Sequence, residues 1–184
     1  HIQLSAVSRI IRRLRKNSRK ISSSERVKMP EKKSKSGIDI SVSGQFKITG
    51  FNRKKLIALI KKTCALFHLR KAQINIEVAD DKRIVEVNKQ FLKKRSITDV
   101  ISFDVSEDGE KVFDIIVNVE LAKRQAKLRG HSAQAELTLY VLHGLLHQLG
   151  FDDLTKADAE KMHRIEDEIL DKLGYGVVYG SAEG

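Results

Sequence analysis

Hydrophobic residues recur along the chain at two different spacings, and these spacings predict its strands and helices. Alternation at every second residue, together with two β-branched apolar runs, predicts four strands, at 38–42, 74–78, 100–105 and 112–119. Apolar residues three and four positions apart predict five helices, at 52–69, 80–92, 120–129, 133–149 and 156–173. Because strands and helices do not alternate regularly toward the end, the pattern predicts an α+β domain with a single mixed sheet of about four strands flanked by helices.

The first 36 residues differ from this pattern and predict an extension of the domain. They carry 12 Lys and Arg against two acidic residues, a balance of +10, whereas the rest of the chain carries 23 basic and 22 acidic residues, a balance of +1. Residues 7–16 have the spacing of a short basic amphipathic helix, and 22–37 indicate a Ser- and Lys-rich linker. We therefore predict a basic, largely flexible extension (1–36), one folded domain (37–175) and a short tail (176–184). Three interpretations of the extension remain open: a solvated tail, a segment that contacts RNA or the ribosome, or a targeting or membrane-surface segment.

Composition narrows the class of protein. The single cysteine, Cys64, lies in an apolar helical pattern and is predicted to be a core residue. Because no disulfide can form within the chain, we expect a reducing, cytoplasmic location. No apolar run approaches the ~18–20 residues of a membrane span, so no membrane partner is expected. Aromatic residues make up only 5% of the chain, which argues against a surface that binds single strands mainly by stacking.

The histidine pair His143 and His147 is the first candidate for chemistry. Four residues apart on a predicted helix, the two imidazoles project from one face about one turn apart, as two ligands of one divalent metal ion do. Gly150 ends the helix, and in a left-handed conformation it would turn the chain so that Asp153 returns to the histidines as a third ligand. Three protein ligands and an open fourth position are the pattern of catalytic Zn²⁺.

The histidine pair has two other interpretations. Both imidazoles could be core residues satisfied by backbone carbonyls, but burial of two imidazoles without a shared purpose is costly, which favours the metal. The helix could also belong to a zinc protease, but the residue after the first histidine is Gly144, where the common protease motif has its glutamate base. Peptide hydrolysis by that mechanism is therefore not expected.

Several segments resemble, in order, those of the YbeY family of single-strand-specific endoribonucleases. The matching segments are Asn88, 98–103 (TDVISF), 114–117 (DIIV), 136–137 (EL) and 143–153 (HGLLHQLGFDD), followed by Met162 and Glu166. The resemblance covers about residues 38–173, which is nearly all of the predicted domain.

This resemblance implies a zinc-dependent endoribonuclease that acts on single-stranded RNA in ribosomal RNA maturation and ribosome quality control, with the small ribosomal subunit as a partner. It implies a zincin-like metal helix, with Zn²⁺ held by His143, His147 and Asp153 at the bottom of a cleft whose rim is basic. Asp99 and Ser102 are expected to orient their neighbours. The alternative is a ribosome-assembly or RNA-binding factor whose metal site is mainly structural.

The chain departs from the family pattern at the third metal ligand. Asp153 stands where the family has a histidine. A carboxylate is a competent zinc ligand, although its negative charge makes the metal a weaker Lewis acid. His163, on the next predicted helix, could be the third ligand in place of Asp153. Otherwise His163 is an exposed histidine on the surface of that helix.

A second departure affects the cation that would meet the scissile phosphate. Leu92 occupies the position of a family arginine, so the nearest cations, Lys94 and Arg95, are the predicted catalytic residues. The alternative is that both belong to a solvated charge run. Phe113 replaces a family glycine, with no predicted consequence.

Overall fold

The four strands form one mixed sheet. The computed structural model describes residues 37–44, 48–93, 95–107 and 109–176. The strands are β1 (Ile38–Gly44), β2 (Ala72–Ala79), β3 (Val100–Asp104) and β4 (Val112–Asn118), in the spatial order β1-β2-β4-β3. β2 runs parallel to both β1 and β4, with Ile74 opposite Ile40 and Phe113, and β3 runs antiparallel to β4 at the edge, with Ser102 opposite Ile115.

Five α-helices surround this sheet within the described residues. They are α1 (Arg53–Leu66), α2 (Asp81–Val87), α3 (Val119–Arg129), α4 (Ala133–Gln148) and α5 (Lys156–Lys172), and a π-helical turn (Asn88–Leu92) follows α2. The predicted α+β class with one mixed sheet of four strands is confirmed, whereas the zincin-like character of α4 stays a prediction. In the described part of the chain, no helix combines the length and apolar character needed to cross a bilayer. The predicted extension (1–36) and most of the predicted tail (177–184) lie outside the described residues.

The core is built around α4, which is apolar on almost every side. Its leucines, among them Leu137, Leu142 and Leu145, are fully buried, and the helix packs on one face of β3 and β4. A helix that is hydrophobic all round must be covered on all sides, and here the sheet, α3 and α5 cover it. A smaller apolar cluster on the opposite face of the sheet joins α2 to β3. The central helix is therefore held rigidly, which fixes the position of any polar side chain on it.

Cys64 is buried in this core, as the sequence predicted. Its side chain is fully buried on α1, and burial raises the pKa of its thiol to about 11. A thiol with this pKa stays protonated at neutral pH and is a poor nucleophile.

Gly144 lies where α4 packs tightly on β3 and β4. A Cβ atom there would lie 2.9 Å from Val100 Cγ2 and 3.0 Å from Ile115 Cγ2. We expect Gly144→Val to lower the free energy of unfolding by about 1–3 kcal/mol through overpacking. Gly144→Ala is expected to cost less, because alanine gains up to ~1 kcal/mol of helix propensity over glycine. Urea unfolding of both variants measures this, and a Gly144→Val protein as stable as the parent would contradict the packing described.

The predicted helix at 80–92 is interrupted in the structure. It is α-helical to Val87 and then widens into the π-helical turn, which ends where the backbone N–H of Lys93 donates to the carbonyl of Asn88. Lys93 adopts a left-handed conformation (φ 55°), and the buried Asn88 donates from Nδ2 to the carbonyl of Ser96 at 2.6 Å. A polar side chain buried at this point needs a partner, and the wider turn supplies one in the following loop.

The boundary between β4 and α3 also differs by one residue from the prediction. The strand ends at Asn118, whose side chain accepts hydrogen bonds from the backbone N–H groups of Glu120 and Leu121. An asparagine in this position caps the helix, so α3 begins at Val119 and not at Glu120. Because the apolar pattern of the strand continues into the first turn of the helix, the sequence pattern does not identify Asn118 as the N-cap.

Candidate metal centre

Three donor atoms converge at the end of α4. His143 Nε2 and His147 Nε2 lie 3.0 Å apart, and Asp153 Oδ2 lies 3.6 Å from the first and 3.9 Å from the second. Within the described residues, these three side chains form the one group of His, Cys, Asp or Glu donors close enough together to hold a metal ion. The two histidines are largely buried (16% and 28% exposed), whereas Asp153 is more open, at 39%. The site therefore opens to solvent on the side of Asp153.

Gly150 provides the bend that brings Asp153 to the histidines. It has φ +96°, a conformation that side-chain-bearing residues rarely adopt. The backbone N–H of Phe151 donates to the carbonyl of Leu146, which closes the end of the helix. The chain then reverses over Phe151, and the predicted left-handed glycine bend is confirmed.

Glu166 of α5 fixes the orientation of His143. Its carboxylate is fully buried, and Oε1 lies 2.8 Å from His143 Nδ1. An ionised carboxylate only accepts hydrogen bonds, so Nδ1 carries the proton and donates it. The Nε2 lone pair of the neutral ring then points toward His147 and Asp153. A histidine that donates one ring N–H to a carboxylate is a typical arrangement around protein-bound metals.

His147 is oriented in the same way by the backbone. Its Nδ1 lies 3.1 Å from the carbonyl of Phe151, which only accepts, so Nδ1 is the protonated nitrogen here too. When both rings are neutral, two Nε2 lone pairs face each other at 3.0 Å beside a carboxylate oxygen. Lone pairs this close repel unless a cation lies between them. The donor set is therefore built for a positive charge.

The electrostatics of His143 point in the same direction. Burial alone would lower its pKa, but the hydrogen bond and charge of Glu166, together with the charges of Asp99 and Asp153, outweigh burial and raise its pKa above the usual value. The carboxylates around the ring thus stabilise positive charge at this point of the structure. A divalent cation would satisfy the same negative potential.

The size of the donor triangle fits Zn²⁺. Ligand bonds of about 2.0–2.2 Å in tetrahedral geometry place donor atoms roughly 3.3–3.6 Å apart. The three observed separations of 3.0, 3.6 and 3.9 Å bracket that value. Two imidazoles and a carboxylate also match the ligand types that zinc accepts.

The other residues predicted from the sequence lie outside this triangle. His163, the rival ligand, lies on α5 and is not part of the group of donors. Arg95 is exposed in the loop before β3, and Lys94 lies outside the described residues. Asp99 accepts hydrogen bonds at Oδ1 from the Thr98 hydroxyl and the Val100 N–H.

Two polar partners of the site were not assigned a role from the sequence. Glu166 occupies a buried position in the apolar stripe of α5, between Met162 and Ile169, and a carboxylate in such a stripe is itself a signal of a buried partner. Gln148 donates from Nε2 to Ser102 Oγ at 2.7 Å and joins the end of α4 to the edge strand β3. No comparable pattern in the sequence indicates that second contact.

Comparison with known proteins gives a consistent result. Residues 40–174 match the family model described as endoribonuclease YbeY. A protein named endoribonuclease YbeY from Bacillus mycoides is 34% identical over 131 aligned positions, and the match covers 64% of this chain and 84% of that protein. One of the same name from Bacillus cereus is 37% identical over 117 aligned positions, and the match covers 57% of this chain and 75% of that protein.

A solved structure shares this fold. The solution structure of TM1509 from Thermotoga maritima superposes with a TM-score of 0.51 at 26% sequence identity and covers 72% of this chain and 90% of that one. The family match spans both the sheet and all three donor residues. This chain therefore belongs to the YbeY endoribonuclease family.

Proposed function

We propose that this protein is a zinc-dependent endoribonuclease that cleaves single-stranded RNA in the cytoplasm, during ribosomal RNA maturation and ribosome quality control. The observation that supports it most strongly is the convergence of His143, His147 and Asp153 within 4.8 Å at an accessible site, in a chain of the YbeY family. The small ribosomal subunit is the proposed macromolecular partner. We also propose that residues 37–175 form the catalytic domain and that the basic extension contributes to RNA affinity.

The proposed ligands are His143, His147 and Asp153. A bound Zn²⁺ would supply Lewis-acid chemistry at a phosphodiester and lower the pKa of water. Glu166 and the carbonyl of Phe151 keep both rings in the Nδ1-protonated form, so that Nε2 is available on each ring. Asp153 adds a negative charge on the open side of the site, where substrate would arrive.

The chain provides cations for the phosphate in the loop before β3. Lys94 and Arg95 are the proposed catalytic residues, because a positive charge close to the phosphate stabilises the negative charge that develops as the bond breaks. Asn88 holds this loop by its hydrogen bond to the carbonyl of Ser96, next to Arg95. Gly144 leaves the central helix without the base of a zinc protease, which supports phosphodiester hydrolysis over peptide hydrolysis.

The proposal is tested by cleavage of matched RNAs. The purified full chain is incubated with a labelled single-stranded oligonucleotide and with the same strand in a duplex, with and without a chelator. We expect cleavage of the single strand only, loss of cleavage with the chelator, and recovery when Zn²⁺ is added in excess of the chelator. Cleavage that is unaffected by the chelator would contradict the metal mechanism. Binding of the RNA without any cleavage would support a ribosome-assembly factor instead.

Replacement of the loop cations tests their proposed role. We expect Arg95→Ala and Lys94→Ala each to lower kcat by about tenfold or more, since loss of one group that stabilises transition-state charge costs up to ~10³-fold. Metal content is expected to stay unchanged, because neither residue belongs to the donor triangle. Arg70→Ala, at an exposed arginine in the loop before β2, is the matched control. Equal rates in the parent protein and in the three variants would mean that Lys94 and Arg95 are solvated surface charges without a role in cleavage.

A further inference from the structure

A polar cavity lies beside the candidate metal site, between the loop before β3 and helices α3 and α4. Its volume is about 300 Å³, at the lower end of the range of small-molecule pockets and enough for a nucleobase. Its lining includes Ile97, Asp99, Leu121, Gln125, Arg129, Glu136 and Tyr140. The mechanism proposed above assigns none of them a direct role in the reaction.

The position of the cavity relative to the metal ligands follows from the geometry of α4. Glu136, Tyr140, His143 and His147 are spaced by four, three and four residues, so they share one face of the helix. At 1.5 Å per residue, Tyr140 lies about 4.5 Å along the axis from His143. Asp99 lies close enough for its charge to act on His143. The cavity is therefore of the order of one nucleotide away from the donor triangle.

The walls of the cavity suit the faces of a flat ring. Ile97 is a large apolar side chain that is 49% exposed, and Leu121 of α3 is half-buried on the opposite element. Single-stranded RNA presents splayed bases whose faces pack on such side chains and whose edges are read by hydrogen bonds. A base bound in the cavity would cover the exposed side chain of Ile97, which explains why a large apolar residue lies at the mouth of a polar cavity.

The polar groups of the cavity select among the four bases. Both hydrogen bonds that the Asp99 carboxylate accepts within the described chain end on Oδ1, so Oδ2 is the oxygen that can accept from a ligand. Gln125 is half-buried and offers an amide N–H₂ donor. Tyr140 and Glu136 form the floor. Arg129, which also lines the cavity, donates to Glu136 Oε1 at 3.1 Å, and His131 Nε2 lies 2.9 Å from Glu136 Oε2. Because Glu136 is paired in this way, Asp99 is the carboxylate of the cavity that favours base edges with hydrogen-bond donors.

Guanine is the base that matches this arrangement. Its Watson–Crick edge carries two adjacent donors, N1–H and N2–H₂, beside the acceptor O6. Adenine and cytosine place an acceptor nitrogen where a carboxylate would repel it, and uracil has one donor between two acceptors. We propose that this cavity binds the base of a guanosine next to the scissile bond, with Asp99 Oδ2 accepting from the adjacent donors N1–H and N2–H₂ and Gln125 donating to O6. This inference rests on the proposed ribonuclease function and adds its sequence preference.

Binding of free nucleosides tests the cavity without any cleavage. NMR titration of the full chain with guanosine and adenosine, which lack a phosphate, isolates the contribution of the base. We expect guanosine to shift the amide resonances of Leu121 and Gln125 with an affinity about fivefold or more above that of adenosine. Asp99→Asn keeps the Oδ1 acceptor and removes the charge, so the preference should disappear, and Gln125→Ala should reduce it. Lys123→Ala, on the exposed side of the same helix, is the control. Equal responses to both nucleosides, or none to either, would overturn the proposal.

Cleavage then separates this inference from the function on which it rests. We expect oligouridylate with one guanosine to be cut at a bond beside that guanosine about tenfold faster than the same strand with one adenosine. In Asp99→Asn the two strands should be cleaved at equal rates. If both strands are cut equally and guanosine does not bind selectively, the subsite is wrong while the ribonuclease function stands. If guanosine binds selectively and neither strand is cut, the cavity is a binding site and the ribonuclease function is wrong.

Discussion

His147→Ala is expected to remove the metal and to lower RNA cleavage by about a hundredfold or more. The reason is that His147 provides one of three donors, and an ion left with His143 and Asp153 alone loses both affinity and fixed geometry. The fold should survive, because the side chain is 28% exposed and its removal leaves α4 packed through its leucines. Metal content by mass spectrometry and single-turnover cleavage measure the two effects.

His163→Ala is the matched control for this variant. It removes a histidine from the neighbouring helix α5 that is not part of the donor triangle. We expect His163→Ala to retain the metal and the cleavage rate, and Asp153→Ala to lose both. The reverse result, with His163→Ala losing the metal and Asp153→Ala keeping it, would show that the third ligand comes from α5.

Glu166→Gln is expected to weaken metal binding about 10–100-fold, although the residue touches no metal in this account. Glutamine can still accept from His143 Nδ1, so the ring keeps its orientation, but the buried negative charge that supports the cation is gone. The second carboxylate oxygen, Oε2, is buried without a hydrogen-bond partner among the described residues, a costly arrangement that a nearby cation would offset. Competition with a chromogenic chelator gives the dissociation constant.

Two further variants separate charge from packing at this position. Glu166→Ala should weaken metal binding at least as much and should also lower the free energy of unfolding by about 1–3 kcal/mol, because it leaves the Nδ1–H of His143 unpaired. Glu160→Gln, an exposed glutamate on the same helix, is the control and should change neither quantity measurably. Metal affinity that is unchanged in Glu166→Gln would mean that Glu166 only packs the helix.

The class of fold and most of its elements were predictable because their hydrophobic patterns are strong. The alternating residues of β2 and the almost wholly apolar α4 leave few alternatives. The order of the strands was not predictable, since β2 pairs with β4 and not with β3, the next strand along the chain, and this pairing joins residues distant in sequence. The π-helical turn was also missed, because it depends on the bond between Asn88 and Ser96, eight residues apart, and not on any repeat.

The candidate site was predictable where local geometry determines it. The spacing of His143 and His147 and the glycine at 150 specify two donors and a bend within eight residues. Glu166 and the cavity beside Asp99 were not predicted, because helix α5 and the loop before β3 reach the site only through tertiary packing. A buried glutamate in the apolar stripe of α5 was the one signal in the sequence that pointed to such a contact.

X-ray absorption spectroscopy of the zinc-loaded full chain tests whether His143, His147 and Asp153 bind the metal. We expect close to one Zn²⁺ per chain, with two imidazole nitrogens and at least one carboxylate oxygen at about 2.0–2.2 Å. In His147→Ala the signal of one imidazole should be lost together with most of the metal. A spectrum without histidine scattering, or a parent protein that binds no more zinc than His147→Ala does, would contradict this set of ligands.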